Sequence, residues 1–200
     1  MNSVGIIGFG RFGKILSNIL EKGFMIKAYD LQPSISYNGV QFLSLEKVLE
    51  EEVIFIAVPI RYFESLINNI SKKIKNQTTI IDVCSVKIYT SSIMTNNLPD
   101  NIGIISSHPM FGPDSYLSNK KLKMMMHNTR DIYNQFMFWK NFFTDQNITI
   151  LEMTPDMHDR LAAETQGITH FLGRMLKEFG IKKTNLDTQG FRDLLDLVDQ

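Results

Sequence analysis

Short runs of consecutive apolar residues alternate with segments in which apolar residues recur every three or four positions. The apolar runs, which are typical of buried strands, cover residues 4–7, 25–29, 53–58, 79–83, 102–106, 122–126 and 148–152. The periodic segments predict amphipathic helices at residues 11–22, 45–51, 62–74 and 131–143. Strands that are apolar throughout and separated by helices indicate a parallel sheet covered on both faces. We therefore predict a doubly wound, mostly parallel α/β sheet.

The pattern changes at Thr154 and Pro155, a favourable cap and first turn for a helix. From there an almost uninterrupted helical pattern continues to about Phe179, and another helical run covers residues 191–198. We therefore predict an α/β domain at residues 1–153 and the start of an all-helical domain at residues 154–200. Since the last run ends without a capping signal, we expect this helical domain to be incomplete.

A glycine-rich segment lies where the first strand gives way to the first helix. Gly8, Gly10 and Gly13 form the pattern Gly-x-Gly-x-x-Gly in the strand-turn-helix context that dinucleotide binding requires. Gly8 permits the tight turn, Gly10 lets the backbone approach a pyrophosphate, and Gly13 lets the helix pack closely on the strand. The helix that opens with Arg11 and Phe12 then receives the anion at its N-terminus. The segment predicts a Rossmann cofactor site.

Asp30 lies 20 residues beyond Gly10, at the end of the second predicted strand. A carboxylate at this point can accept hydrogen bonds from the ribose hydroxyls of adenosine. It would also repel a ribose 2′-phosphate, and Leu31 and Gln32 supply no arginine to neutralise one. We therefore expect NAD as the cofactor, with NADP less favoured. Arg11 either reaches a phosphate or is a solvated charge, and the sequence leaves both readings open.

Two polar segments follow predicted strands, whose carboxyl ends face the cofactor crevice in this fold. Their sequences are DVCSVK at residues 82–87 and SHPMFGPDS at residues 107–115. Here the chain resembles the prephenate/arogenate dehydrogenase family, which has a Ser-Val-Lys turn and a His-Pro segment closed by glycine. Two further segments, His158-Asp159 and ETQGITHFLGR at residues 164–174, resemble the start of that family's helical domain. Among the members, the chain resembles plant-type arogenate dehydrogenases.

The resemblance implies an oxidative decarboxylation in tyrosine biosynthesis, in which a substrate ring loses a hydride and carbon dioxide and becomes aromatic. It assigns to His108 the role of the base that removes the proton of the ring hydroxyl, which an imidazole can do at neutral pH. It assigns to Ser85 a hydrogen bond to the same hydroxyl. The alternatives are a buried structural histidine at position 108 and an ordinary turn serine at position 85.

The long helical pattern contains a candidate substrate-binding stripe. At about 100° per residue, Ala162, Thr165 and Thr169 fall within about 40° of His158. This small and polar stripe either lines the substrate pocket or packs closely against the sheet. His170 lies about 120° from His158 by the same count, so we expect it at a packing contact or an interface.

The segment at residues 190–198 bears on the choice of substrate. Family members that act on prephenate carry an arginine there, which binds a substrate carboxylate with two hydrogen bonds, and the matching position in this chain is Asp196. A carboxylate would accept the ammonium group of arogenate and repel the side-chain carboxylate of prephenate. Arg192 is close by, and a small shift in register would exchange the two roles.

Composition narrows the classes of partner. Lys+Arg and Asp+Glu are balanced at 21 each, so no net field attracts nucleic acid or an anionic membrane, and a small-molecule substrate is favoured. The apolar runs are far shorter than the roughly 20 residues of a membrane span, and no targeting peptide precedes the first strand. The single cysteine, Cys84, fits a reducing compartment, so we expect a cytoplasmic protein. No metal-ligand spacing is present.

Together these features predict an NAD-dependent arogenate or prephenate dehydrogenase that could form a homodimer through its helical domain. One alternative is another Rossmann reductase with a helical dimer domain, such as a pyrroline-carboxylate or hydroxyacid enzyme. The His-Pro and Ser-Val-Lys segments argue against it. A second alternative is a non-catalytic NAD-binding remnant of such an enzyme that acts as a sensor or partner module.

Overall fold

The computed structural model describes residues 1–32, 37–74, 77–113, 116 and 121–198. The chain divides into two compact units, Met1–Pro155 and Asp156–Gln200. Asp114 and Ser115, which end the SHPMFGPDS segment, lie outside the described residues. Within the described part, no helix combines the length and the apolar character needed to cross a membrane.

The first unit alternates strands and helices. Its strands are β1 (Ser3–Ile7), β2 (Met25–Tyr29), β3 (Gln41–Phe42), β4 (Val53–Ile56), β5 (Thr79–Asp82), β6 (Gly103–Pro109), β7 (Leu122–Arg130) and β8 (Ile148–Glu152). Its helices are α1 (Arg11–Leu20), α2 (Leu45–Val48), α3 (Ile60–Ile70), α4 (Lys87–Asn97) and α5 (Phe136–Asp145). The predicted order of strands is confirmed, and the short strand β3 and the helix α4 are additions to it.

The described strands form one sheet of eight, in the order β3-β2-β1-β4-β5-β6-β7-β8. Neighbouring strands are parallel except for the antiparallel pair β6 and β7. From β1 the chain builds outward to β2 and β3, and it then returns to add β4 on the other side of β1. This reversal creates a crevice at the carboxyl ends of β1 and β4, which is where open α/β sheets bind their ligands. The predicted doubly wound fold is confirmed.

Each face of the sheet carries its own core because successive residues of a strand point to opposite faces. Phe55 belongs to the cluster that contains Trp139 of α5, and their ring centroids are 4.9 Å apart at 86°. Its neighbour Ile56 belongs to the opposite cluster, which contains Phe63 of α3. This two-sided burial explains why the strand sequences are apolar throughout.

Helix α4 is absent from the hydrophobic pattern because most of its buried residues are polar. Lys87, Thr90, Ser91 and Met94 are the buried residues of this helix. Hydrogen bonds to β6 therefore add to the few apolar contacts, such as that of Met94, that hold this helix on the sheet. A helical period in apolar residues therefore cannot reveal it.

Helix α5 begins five residues later than the predicted start at Asp131. The Asp131 carboxylate accepts hydrogen bonds from the backbone N–H groups of Gln135 and Phe136, at 2.7 and 3.0 Å. These bonds satisfy donors at the start of the helix that have no partner within it. Asp131 therefore stabilises the turn that precedes the helix.

The second unit contains α6 (Pro155–Ala162), a π-helical turn (Ala163–Gly167), α7 (Ile168–Phe179) and α8 (Gln189–Val198). The predicted helical segment from Thr154 to about Phe179 is confirmed, but the π turn in its middle departs from the regular α-helical period. Within this turn the Thr165 hydroxyl donates to the Leu161 carbonyl at 2.7 Å, a type of bond that bends helices. Helix α7 ends at Gly180, which has a left-handed φ of +74°.

Candidate functional site

The glycine loop between β1 and α1 has the geometry expected of a phosphate-binding turn. Gly8 has a φ of +96°, and a Cβ atom there would lie 2.5 Å from the Ala57 carbonyl oxygen. A Cβ atom at Gly13 would lie 2.4 Å from the Gly8 carbonyl oxygen. At Gly10, in contrast, a Cβ atom would meet no heavy atom within 4 Å. Gly8 and Gly13 are therefore required by the fold, whereas Gly10 leaves space for a ligand.

Asp30 is anchored at the edge of this loop. One carboxylate oxygen accepts the Phe9 backbone N–H at 2.6 Å, and the other accepts the Gln32 backbone N–H at 2.8 Å. Each carboxylate oxygen can accept more than one hydrogen bond, so both remain able to bind a ribose hydroxyl. The predicted position of Asp30 beside the glycine loop is found in the fold.

A cleft of about 690 Å³ opens at the switch point of the sheet. This volume lies within the range of cofactor and ligand pockets. Of the predicted cofactor residues, Gly8, Gly10, Arg11, Phe12 and Asp30 line the cleft. Gly13 is buried beneath them. The first unit thus brings the predicted cofactor set together.

Sequence reasoning missed the opposite wall of the cleft, which comes from the end of β4 and from α3. The residues of this wall are Ala57, Val58, Pro59, Tyr62, Ser65, Leu66 and Asn69. The apolar period of α3 identifies the side that packs on the sheet, with Phe63, Ile67 and Ile70 buried. It does not distinguish residues that line a cleft from those that simply face solvent.

The DVCSVK and SHPMFGPDS segments are joined by a buried ion pair. Asp82 and Lys87 are both 0% exposed, and the Lys87 ammonium donates to the Asp82 carboxylate. The same ammonium donates to the Ser107 carbonyl at 2.5 Å. In return, the Ser107 N–H donates to the Asp82 carboxylate at 3.3 Å, and the Ser107 hydroxyl donates to the Asp82 carbonyl at 2.6 Å. The two motifs indicated the presence of these residues but not their contact with each other.

Both candidate catalytic residues are close in sequence to this ion pair, since Ser85 lies between Asp82 and Lys87 and His108 directly follows Ser107. Ser85 is exposed in the turn between β5 and α4, whereas His108 is 7% exposed. His108 lies inside β6 rather than after a strand, because β6 extends to Pro109. Since β1, β2, β5 and β6 are parallel, their carboxyl ends share one edge of the sheet. The glycine loop, Asp30, Ser85 and His108 therefore belong to the same edge.

Cys84 stands next to Ser85 but is poorly suited to act as a nucleophile. Burial, together with the negative charge of Asp82, raises the pKa of its thiol to about 12. The thiol therefore stays protonated at neutral pH, and only the thiolate is strongly nucleophilic. It donates a long hydrogen bond of 3.8 Å to the Val58 carbonyl.

The predicted substrate-binding residues lie in the second unit. His158 is 3% exposed, and its Nδ1 atom is 2.8 Å from the Asp159 carboxylate. Thr165 is exposed within the π turn. Because this turn departs from 100° per residue, the predicted angles from His158 to Thr165, Thr169 and His170 do not hold.

Arg192 and Asp196 are both exposed on α8, four residues apart. Residues at this spacing are neighbours on one face of a helix. One ligand group can therefore contact both side chains, and the alignment of this helix with the family does not by itself show which of them binds the substrate.

Comparison with known proteins gives a family match in the first unit. Residues 25–128 match the family model for the prephenate dehydrogenase nucleotide-binding domain. Arogenate dehydrogenase 1 of Arabidopsis thaliana, a chloroplastic protein, is 32% identical over 98% of this chain, which covers 33% of that protein. A probable arogenate/prephenate dehydrogenase of Methanocaldococcus jannaschii is 26% identical over 88% of this chain, which covers 42% of that protein. The chain thus spans less than half the length of either relative.

Solved structures agree with the fold. Prephenate dehydrogenase from A. aeolicus, in complex with hydroxyphenyl propionate and NAD⁺, has a TM-score of 0.78 at 19% identity, over 99% of this chain and 78% of that one. Synechocystis arogenate dehydrogenase has a TM-score of 0.76 at 18% identity, over 98% of this chain and 78% of that one. At these identities the likeness establishes a shared fold.

Proposed function

The chain belongs to the prephenate dehydrogenase family, and from this premise we propose that it binds NAD and catalyses the oxidative decarboxylation of arogenate or prephenate in tyrosine biosynthesis. The observation that carries the proposal is the common sheet edge of the glycine loop, Ser85 and His108. A dehydrogenase needs a nucleotide-binding cleft and a base on the same edge of the sheet, and this edge carries both. The alternative of a non-catalytic NAD-binding module predicts binding without turnover.

Asp30 supports NAD rather than NADP. Its carboxylate is held in place by two backbone N–H groups, at 2.6 and 2.8 Å, so it cannot easily turn away from an approaching 2′-phosphate. The next residue, Leu31, is 85% exposed and brings no compensating charge. Bound NAD would supply an acceptor for the hydride that leaves the hydroxyl-bearing ring carbon.

The protein's own part in the chemistry is to remove a proton and orient the ring. In this proposal a ring nitrogen of neutral His108 accepts the proton of the substrate hydroxyl, which raises the electron density that expels the hydride. Ser85 donates or accepts a hydrogen bond at the same hydroxyl and holds it toward the base. Loss of carbon dioxide and aromatisation then make the reaction effectively irreversible.

For the substrate we propose that arogenate is preferred, with Asp196 accepting its ammonium group. His158 and Thr165 complete the proposed substrate-binding set. Asp196 is exposed, so a partly solvated pair worth ~1.4 kcal/mol would give about a tenfold preference in kcat/KM. Arg192 is the competing candidate, and it would favour prephenate by binding its side-chain carboxylate.

The second unit carries exposed apolar residues that support a homodimer as the assembly. Ile168, Phe171, Met175 and Phe179 are 53%, 67%, 47% and 85% exposed on α7. Exposed apolar patches of this kind usually mark an interaction site. We expect analytical ultracentrifugation to find a dimer, and Phe171→Lys to shift it toward monomer. A cytoplasmic location stays a prediction.

The central test follows NADH formation with arogenate and with prephenate at matched concentrations on this chain. Asp30→Asn should weaken NAD binding and reduce the discrimination against NADP. Asp196→Asn should reduce the preference for arogenate, whereas Asp193→Asn on the same helix is the matched control and should not. If the chain does not turn over, both substrates are titrated into its NAD complex. Equal affinities, unchanged in Asp196→Asn, would exclude Asp196 and point to Arg192.

A further inference from the structure

Asp82 and Lys87 form a fully buried ion pair, and burying two charges costs free energy. Removing Asp82 and Lys87 from water carries a large desolvation penalty, and apolar residues of similar volume often stabilise a protein as well or better. Overall stability is therefore a weak reason for this pair. Its contacts point to another one.

The pair binds the residue that precedes each candidate catalytic residue. Lys87 donates to the Ser107 carbonyl at 2.5 Å and Asp82 accepts the Ser107 N–H at 3.3 Å, so both backbone groups of the residue before His108 are held. Asp82 also accepts the N–H of Cys84, which precedes Ser85, at 3.4 Å. One carboxylate and one ammonium thus fix two backbone segments that meet only through tertiary structure.

The way in which α4 is attached strengthens this view. Ser91 on α4 and Ser106 on β6 share a hydrogen bond of 2.5 Å, and Ser106 shares another of 2.9 Å with Thr129 on β7. Hydrogen bonds have a preferred direction and length, so they hold the helix in one register on the sheet. This register places Lys87, the first residue of α4, beside Asp82 and Ser107.

We propose that Asp82 and Lys87 are a positioning pair that holds Ser85 and His108 in a fixed relation to each other at the cofactor edge. The proposal rests on the proposed function, since it takes these two residues as the groups that act on the substrate. Asp82 and Lys87 act through the backbone of their neighbours. They are positioning residues rather than catalytic ones.

The test compares Lys87→Met and the double variant Asp82→Asn/Lys87→Met with a matched control. The control is Lys27→Met, which breaks the 2.6 Å pair between Lys27 and Glu51, a residue that precedes β4 at its amino end. The double variant is included because it leaves no unpaired buried charge and should fold even if the single variant does not. Thermal unfolding first establishes a temperature at which every protein is folded.

Two readouts follow at that temperature. In turnover, Lys87→Met and the double variant should lose about ten- to a hundredfold in kcat, the usual effect of a displacement near 1 Å. Their NAD affinity should stay within about twofold of the unmodified protein, as expected when only positioning is lost. The primary isotope effect with deuterium on the hydroxyl-bearing carbon should rise, because hydride transfer becomes more rate-limiting when the base is displaced. A smaller folded fraction would leave this isotope effect unchanged, so it separates lost positioning from lost stability. Since the pair acts as a unit, the double variant should be no slower than Lys87→Met.

Amide hydrogen exchange measured by mass spectrometry, without any ligand, is the second readout. Peptides that contain Ser85 and His108 should exchange faster in Lys87→Met and in the double variant, but not in Lys27→Met. Unchanged kcat, isotope effect and exchange in the folded double variant would overturn the proposal. Absence of turnover in the unmodified chain would count against the proposed function. The exchange measurement would then test the positioning role alone, and equal exchange rates in the variants and in Lys27→Met would overturn it.

Discussion

Gly10→Ala should separate cofactor binding from folding in this chain. Gly10 is the residue before α1, and its φ of −72° and ψ of −160° are accessible to alanine. The added methyl group would meet no heavy atom within 4 Å. Alanine is a poorer cap than glycine by several tenths of a kcal/mol, but it lowers the entropy of the unfolded chain by about 0.4–1 kcal/mol. The two effects nearly cancel, so the melting temperature should change by less than about 4 °C.

The same methyl group should be costly for NAD. It would occupy the open space through which a pyrophosphate approaches the N–H groups at the start of α1. Loss of one hydrogen bond to a charged oxygen costs about 1.5–3 kcal/mol. Such a loss corresponds to a Kd for NAD that is roughly 10 to 150 times higher.

Isothermal titration with NAD and thermal unfolding without it measure the two effects separately. Gly13→Ala is the informative contrast, because its methyl group would lie 2.4 Å from the Gly8 carbonyl oxygen and should destabilise the unliganded protein. A Gly10→Ala variant that binds NAD as tightly as the unmodified chain would refute the assignment of this space to the pyrophosphate. A strongly destabilised Gly10→Ala variant would refute the geometric argument itself.

Three further predictions concern single titratable groups. His108→Asn should lower kcat by about 10²-fold or more while NAD affinity stays unchanged, and turnover near that of the unmodified chain would exclude the base. Burial raises the pKa of the Cys84 thiol from 9.0 to about 12, so alkylation by iodoacetamide at pH 8 should be about a thousandfold slower in the folded protein than in urea; comparable rates would contradict this. Burial lowers the pKa of His127 below its ordinary 6.5, so the unfolded state binds more protons and His127 should reduce stability as the pH falls below 6.5. Denaturant unfolding of His127→Gln should show a smaller acid-side loss, and an identical pH dependence would remove His127 as the cause.

The order of the strands could be predicted because each local segment carries its own signal. A strand such as β4 is apolar at every position, since both of its faces are covered. The glycine turn also carries local signals, because Gly8 has a positive φ and Gly13 packs directly on the Gly8 carbonyl. Asp30 could be placed for a similar reason, because the crossover from β1 to β2 has a nearly constant length in this fold. The cofactor half of the site was therefore accessible from the pattern alone.

Helix α4 and the π turn are features that this pattern could not supply. The buried side of α4 is polar because its partners are Ser106 and the Asp82 carboxylate, and these come close only when β5 and β6 pair. The π turn changes the angles assigned to Thr165, since a period of 100° assumes a regular helix. The apolar period fails for α4 and the 100° period fails at the π turn, because hydrogen bonds that these periods do not describe hold each segment.

Hydrophobic period and turn stereochemistry act over a few neighbouring residues, so the amino-acid pattern was enough to predict the alternation of strands and helices, the glycine turn and the position of Asp30. The burial of Lys87 against Asp82, and its hydrogen bond to Ser107 at 20 positions along the chain, became visible only in the folded sheet. A lysine on a helix usually faces water, and nothing in its local sequence marks the exception. Burial of a charge depends on partners that the folded sheet brings together, and this is why the link between Ser85 and His108 emerges only in three dimensions.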